Sequence, residues 1–121
     1  MSVPPFRATV AEIGGRVALV SVSGELDLYV ASEMRETLEA AELLGTPTTV
    51  VDLSGVSFMD STICGILVAE AKRCARDEGR LVLVATDAAA GRVLEVAGVG
   101  RVVPVYSTLH AAFQEFLLEA V

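Results

Sequence analysis

Short apolar runs alternate with longer segments of helical periodicity, and this alternation limits the fold more than any other feature of the sequence. Residues 48–53 and 81–85 are mostly β-branched or aliphatic, which is typical of strands in a helix-covered sheet. Between these runs, residues 61–77 repeat apolar side chains at the spacing of a helix. Strands that alternate with helices predict an α/β fold, with a mixed, mainly parallel sheet and helices packed on it.

The predicted order of elements is β-β-α-β-α-β-α-β-α, which makes about five strands and about four helices. Gly14 and Gly15 indicate a hairpin between strands at residues 6–13 and 16–22. The remaining predictions are a polar connection at 24–27, a helix at 28–44, a loop at 54–59, a helix from Thr86 or Asp87 to Ala97, an edge strand at 101–105 and a last helix capped by Ser107. The length of 121 residues suits one domain, so we expect a single domain over residues 1–121.

Charge and hydropathy argue against several kinds of partner. The sequence has 16 acidic and 9 basic residues, a net charge of −7, whereas nucleic-acid binding needs a basic face. Although 53% of the residues are hydrophobic, no apolar run approaches the roughly 20 residues of a membrane helix, and no secretory signal is visible at the N-terminus. We therefore expect a cytoplasmic protein without direct contact to nucleic acid or membrane.

Residues suited to metal binding or redox chemistry are few. Cys64 and Cys74 lie on one predicted helix, about 15 Å apart at 1.5 Å per residue, which is too far for a disulfide. We expect two small buried thiols in a reducing compartment. His110 is the single histidine, so the sequence predicts no zinc or other metal site, and we expect His110 at the surface.

The residues of a known catalytic site are not found together. A serine hydrolase needs a base beside its nucleophile, and His110 is far in sequence from Ser61. The chain has no G-x-S-x-G elbow, P-loop or G-x-G-x-x-G motif. Asp52 and Asp60 are expected to be capping and turn residues rather than a catalytic pair. We expect a protein that is not an enzyme and binds no cofactor.

The segment 52–62 has the most informative combination of residues. It follows a buried strand, contains the apolar pair Phe58 and Met59, and ends in a polar triplet at the start of a helix. In one interpretation, Asp60 or Ser61 caps the helix and Phe58 packs in the core. In the other, Phe58 and Met59 are exposed and Ser61 is a switch, because free N–H groups at a helix N-terminus can accept a phosphate.

Four short motifs in order resemble the STAS-domain anti-anti-sigma factors (anti-sigma factor antagonists) of bacteria, over roughly residues 3–118. Gly24-Glu25-Leu26-Asp27 resembles the family's G-E-[IL]-D motif. Residues 51–62 resemble its phosphorylation loop, and residues 92–99 and 103–109 resemble its C-terminal third. The resemblance implies the STAS fold.

The resemblance also implies a function. Ser61 matches the serine that a cognate anti-sigma serine kinase phosphorylates, and a PP2C-type phosphatase restores the unphosphorylated form. That form binds the kinase and releases the sigma factor that the kinase holds. Asp27 matches an acidic residue of the kinase contact, and Asp60 and Thr62 match positions that flank the serine. The ATP in this reaction belongs to the kinase.

Ile63 departs from the family pattern, which has glycine at this position. A β-branched side chain there is expected either to fill a hollow in a specific partner or to reduce access to Ser61. Ile63 and Met59 are therefore predicted partner-binding residues, beside the polar positions of the motif. Because Phe58, Met59 and Ile63 form only a small candidate patch, we expect a monomer.

Two alternative functions remain open. A STAS module could be an accessory subunit of a transporter or a stressosome-like scaffold, without a phospho-switch. A small nucleotide- or lipid-binding domain is the other alternative, although a phosphate-cradling motif is missing. Asp27 also has two interpretations, as the cap of the helix that follows or as a partner contact. The glutamates of that helix are expected to form a solvated face: Glu33, Glu36, Glu39 and Glu42.

Overall fold

Five strands form one sheet with helices on both faces. The computed structural model describes residues 5–86 and 88–120, apart from the side chains of residues 88 and 116–120. The elements are β1 (Arg7–Ile13), β2 (Val17–Leu26), α1 (Ala31–Glu42), β3 (Thr48–Met59), α2 (Ser61–Arg76), β4 (Arg80–Val84), α3 (Ala88–Val96), β5 (Val105–Tyr106) and α4 (Leu109–Ala120), with 3-10 turns at Leu28–Val30 and Val99–Arg101. The strands lie in the order β1-β2-β3-β4-β5, and only the β1–β2 pair is antiparallel. The predicted α/β class, element order and mainly parallel sheet are confirmed.

The sheet has an apolar core on each face. The larger core includes Met34 of α1, Leu67 of α2 and Leu94 of α3. On the opposite face, Ala112 of α4 packs with Val50. Three helices thus cover one face, as successive crossovers of the same hand require, and α4 covers the other. Burial of each large aliphatic side chain contributes about 1.5–3 kcal/mol. Within residues 5–86 and 88–120, none of the helices has the length and hydropathy needed to cross a membrane.

Strands β2 and β3 are longer than predicted. The connection expected at 24–27 and the loop expected at 54–59 are mostly strand, because residues 23–26 pair with residues 55–59. The register shifts after Ser21 and again after Gly24. A Cβ on Gly55 would lie 2.7 Å from the Cβ of Ser23, and one on Gly24, whose φ is +96°, would collide with the Pro5 carbonyl. These glycines permit close approach within the sheet and do not mark turns.

Smaller corrections concern the ends of elements. The helix predicted at 28–44 consists of a 3-10 turn followed by α1, and the strand predicted at 101–105 is Val105–Tyr106 alone, although its edge position is confirmed. Thr108 rather than Ser107 caps α4, since its Oγ1 accepts a hydrogen bond from the Ala111 N–H at 3.0 Å. The candidate cap Asp87 lies outside the described residues.

The predicted burial of both cysteines is confirmed. Cys64 and Cys74 are buried free thiols on α2. Burial raises the pKa of each thiol, which keeps it protonated and lowers its reactivity near neutral pH. His110 is exposed, also as predicted.

One arginine links the carboxylates between α1 and α2. Arg73 contacts Glu42 at 2.7 Å, Glu70 at 2.9 Å and Asp77 at 2.7 Å. Burial, together with hydrogen bonding and repulsion from Glu70, raises the pKa of Glu42. The pKa of Arg73 is raised too, chiefly by its hydrogen bond to Glu70. Glu42 therefore differs from the exposed glutamates earlier in α1, because it belongs to an ion-pair network that joins two helices.

Replacing Arg73 should destabilise the protein. Arg73→Ala would leave three carboxylates without their shared cation, at a cost of about 1–3 kcal/mol at pH 7. The cost should shrink at pH 4. The folded-state pKa of Glu42 lies above its ordinary value of 4.5, so its ionisation costs stability as the pH rises through this range, and loss of the cation enlarges that cost.

Urea unfolding at both pH values measures the effect. Arg76→Ala is the matched control, because Arg76 is exposed on the same helix and its loss changes the net charge equally. Arg76→Ala should lower the free energy of unfolding by less than about 0.5 kcal/mol. Equal losses of unfolding free energy in the two variants would contradict a specific role for Arg73.

Candidate functional site

The carboxyl ends of β2 and β3 lie side by side, and the segments that follow them meet there. Leu26 pairs with Met59 in the parallel ladder, and the Asp60 N–H donates to the Leu26 carbonyl at 3.1 Å. Strand β2 leads into the turn Leu28–Val30, and β3 leads into α2. Functional groups of α/β sheets are commonly found at such strand ends. The structure brings the predicted polar site residues together at this place: Asp27, Asp60, Ser61 and Thr62.

The Asp60 carboxylate joins the two segments. Its Oδ1 accepts hydrogen bonds from the N–H groups of Thr62 at 3.0 Å and Ile63 at 3.3 Å, and so caps α2. Its Oδ2 accepts a hydrogen bond from the Leu28 N–H at 3.0 Å. Of the two candidate caps, Asp60 is therefore the cap and Ser61 is not. One side chain fixes the start of α2 relative to the turn after β2.

Asp27 holds the turn that follows β2. Its Oδ1 accepts a hydrogen bond from the Tyr29 N–H at 2.9 Å, and its carbonyl accepts one from the Val30 N–H at 3.1 Å. Asp27 thus caps the 3-10 turn that opens the predicted helix, although the N-cap of α1 itself is Val30, and a partner contact stays a prediction. Asp27 is half-buried, so part of its side chain is accessible to a partner.

Ser61 is the first residue of α2 and is exposed. We expected free N–H groups here to accept a phosphate, but Asp60 already binds the N–H groups of Thr62 and Ile63. A phosphate on Ser61 would instead lie beside the Asp60 carboxylate. The single histidine, His110, is on α4, which covers the other face of the sheet. The Ser61 hydroxyl therefore has no histidine beside it that could act as its base.

Met59 and Ile63 are buried, which corrects the prediction that they form an exposed patch with Phe58. Met59 keeps 2% and Ile63 0% of its accessible surface, whereas Phe58 keeps 48%. Neighbouring residues of a strand point to opposite faces, so burial of Met59 leaves Phe58 outside the main core. Ile63 packs in the same core as Leu67, one helical turn further on. Neither buried side chain is available to a partner, and Ile63 does not cover Ser61.

Two exposed apolar residues were missed by the sequence analysis. Leu28 is 63% exposed and Tyr29 is 90% exposed. Both were placed in the predicted helix at 28–44, where apolar residues suggest burial. The sequence feature that could have indicated their exposure is their position directly after the capping residue Asp27. We use the name apolar rim for the exposed residues at this strand end: Leu28, Tyr29 and Phe58.

Removing the Asp60 carboxylate should loosen both segments. Asp60→Ala loses three hydrogen bonds to backbone N–H groups and should cost about 1–3 kcal/mol. Asp60→Asn is a matched variant, because asparagine caps helices well but has only one accepting oxygen. Amide hydrogen exchange should accelerate at Leu28 in both variants, and at Thr62 and Ile63 only in Asp60→Ala. Unchanged exchange at Leu28 in Asp60→Asn would show that the Asp60–Leu28 hydrogen bond does not hold the turn.

Known proteins share both sequence and architecture with this chain. The family model of the STAS domain matches residues 8–112. An anti-sigma-B factor antagonist of Staphylococcus aureus is 35% identical over 79 residues, which are 65% of this chain and 73% of the relative.

Solved structures agree with this match. An anti-sigma factor antagonist from Mycobacterium paratuberculosis superposes with a TM-score of 0.84 at 31% identity, over 92% of this chain and 93% of that chain. The anti-sigma factor antagonist SpoIIAA of Bacillus, in its unphosphorylated form, gives a TM-score of 0.75 at 18% identity, over 95% of this chain and 98% of that one, a likeness of fold alone. The family match over residues 8–112, together with the superposition on these structures, shows that the chain belongs to the STAS domain family.

Proposed function

We propose that this protein is an anti-sigma factor antagonist regulated by phosphorylation of Ser61. Its unphosphorylated form binds a cognate anti-sigma serine kinase and thereby releases the sigma factor that the kinase holds. The observation that carries this proposal is the exposed Ser61 at the start of α2, directly after the capping residue Asp60, which also binds the turn that Asp27 holds. The names of relatives such as the Staphylococcus aureus and Mycobacterium paratuberculosis proteins support it.

Phosphoryl transfer requires only an accessible hydroxyl from this chain. The kinase supplies ATP and the catalytic base. The Ser61 oxygen forms a bond to the γ-phosphorus, the bond from that phosphorus to the β,γ-bridging oxygen breaks, ADP leaves, and the hydroxyl proton passes to the kinase. Thr62 and Asp27 contact the kinase surface, while the Asp60 carboxylate binds the N–H groups of Thr62 and of Leu28, the residue after Asp27.

The modification changes the surface more than the fold. A phosphate adds about −1.5 to −2 charges at neutral pH beside the Asp60 carboxylate. The cap of α2 is provided by Asp60 and not by the Ser61 hydroxyl, so the helix start keeps its hydrogen bonds. A partner that fits the uncharged hydroxyl then meets added bulk and negative charge. Binding is lost while the domain stays folded.

Reversal completes the cycle. A PP2C-type phosphatase hydrolyses the phosphoserine with water, which gives the serine hydroxyl and inorganic phosphate. In this scheme the chain acts as a single STAS domain and as a monomer in the cytoplasm. It contacts the transcription machinery only through the kinase and binds neither nucleic acid nor a cofactor.

Phosphotransfer with radiolabelled ATP and each purified anti-sigma serine kinase of the source genome tests the proposal. We expect label on the wild type and on Ser57→Ala, but none on Ser61→Ala. Ser57 is the matched control, because it is an exposed serine of the same segment. Ser61→Asp should weaken kinase binding, since it places a permanent negative charge at this position.

Two results would contradict the proposal. Label on Ser61→Ala equal to that on the wild type would place the modification elsewhere. Neither label nor binding with any of the kinases would favour a transporter-associated or scaffolding role.

The burial of Ile63 predicts how its replacement affects stability and phosphorylation. Ile63→Val should lower the free energy of unfolding by about 0.5–1.5 kcal/mol while leaving the rate of Ser61 phosphorylation within about twofold. The reason is that Ile63 is 0% exposed and contributes to the core only. A phosphorylation rate that rises several-fold in this variant would instead show that the side chain obstructs the kinase.

A further inference from the structure

We propose that a phosphate on Ser61 releases the turn that follows β2, because it repels the Asp60 carboxylate from the Leu28 N–H. The inference rests on the proposed function, since phosphorylation of Ser61 is its starting point. It adds a change of conformation to the change of surface charge. The turn is Leu28–Val30, which leads from β2 into α1.

One carboxylate connects the turn to the start of α2. Asp60 Oδ1 accepts hydrogen bonds from the N–H groups of Thr62 at 3.0 Å and Ile63 at 3.3 Å. Its Oδ2 accepts a hydrogen bond from the Leu28 N–H at 3.0 Å. Because both oxygens belong to one planar group, a force on that group acts on both segments. Ser61 is the next residue in the chain, so a phosphate there lies close to this group.

The added charge is not compensated at Asp60. A phosphate brings about −1.5 to −2 charges at neutral pH. Within residues 5–86 and 88–120, the Asp60 carboxylate forms no ion pair, and the turn itself carries a second carboxylate, that of Asp27. Like charges at short distance repel each other. Asp60 relieves the repulsion by moving away or by binding a proton, and either change weakens its hydrogen bonds.

The hydrogen bond to Leu28 is the one expected to open first. It is exposed to solvent, whereas the two bonds from Asp60 to the start of α2 are partly buried. Water can replace a lost partner at an exposed N–H group, so opening it costs less than opening a buried one. The positive end of the helix dipole also favours the carboxylate at the N-cap. The carboxylate therefore keeps its place on α2 and gives up the turn.

The other bonds of the turn do not replace the lost one. Asp27 Oδ1 binds the Tyr29 N–H at 2.9 Å, and the Asp27 carbonyl binds the Val30 N–H at 3.1 Å. These bonds hold the shape of the turn but lie within it. Leu28 is the residue whose N–H is bound to the segment that carries Ser61. The phosphorylated form thus differs from the unphosphorylated form in the order of this turn as well as in charge.

Genetic incorporation of phosphoserine tests the inference without a kinase. Amide hydrogen exchange at Leu28 should be about five- to tenfold faster in Ser61→phosphoserine than in the unmodified protein. Thr62 and Ile63, corrected for the effect of the neighbouring phosphoserine, and the core residue Leu67 should stay within about twofold. A nearby negative charge repels hydroxide and by itself slows exchange, so faster exchange at Leu28 reports an open hydrogen bond.

Two matched proteins show whether Asp60 transmits the effect. In Asp60→Asn the side chain is neutral and has one accepting oxygen, so adding Ser61→phosphoserine should change Leu28 exchange less than about twofold beyond Asp60→Asn alone. Ser57→phosphoserine places the same charge on an exposed serine of the same segment, about 10 Å from Asp60 along the extended chain. It should leave Leu28 exchange within about twofold of the unmodified protein.

The outcomes separate this inference from the proposed function. Unchanged exchange at Leu28 in Ser61→phosphoserine overturns the inference and leaves phosphorylation by a kinase untouched. Equal acceleration at Leu28, Thr62 and Ile63 also overturns it, because the cap of α2 would then be lost with the turn. The same acceleration in the Asp60→Asn background overturns it as well, since the effect would not pass through Asp60. Failure of every kinase to label Ser61 refutes the proposed function itself.

Discussion

Both oxygens of the Asp60 carboxylate are used, and they connect parts of the chain that are far apart in sequence. One oxygen caps α2 through Thr62 and Ile63, and the other holds the Leu28 N–H. The β2–β3 ladder brings Asp60 into reach, since its own N–H is bound to the Leu26 carbonyl. The parallel ladder and this single side chain therefore define the end of the sheet at which every candidate functional residue lies.

The same arrangement separates residues that stabilise the site from residues that a partner can reach. Met59 and Ile63 pack in the core below the site, while Ser61 and the apolar rim face solvent. A charge added at Ser61 changes the outer surface and leaves the buried contacts in place. In the proposed function, this division would let a phosphate at Ser61 change partner binding without unfolding the domain.

The order of elements and the buried side of α1 could be predicted because they depend on local patterns. Apolar spacing, strand-forming runs and helix-ending residues are all visible in the sequence. The C-terminal residues of β2 and β3 could not be predicted to be strand, because Gly24 and Gly55 resemble turn residues in the sequence. Only the structure shows that other backbone segments or side chains approach these two glycines closely. The burial of Met59 was missed for a related reason, because the face that a strand residue occupies depends on register, and the β2–β3 ladder has two register shifts. Ile63 lies on α2, one turn before the buried Leu67, so helical spacing alone could have indicated its burial.

The central claim is that the partner binds at the carboxyl ends of β2 and β3. Chemical-shift mapping tests it most directly, by following the backbone amides of the isotopically labelled protein as unlabelled kinase is added. The account predicts that the largest shifts fall on residues 27–29 and 58–65, with few changes at the β5 edge. Shifts concentrated instead on the exposed valines of that edge, Val96, Val102 and Val105, would contradict it.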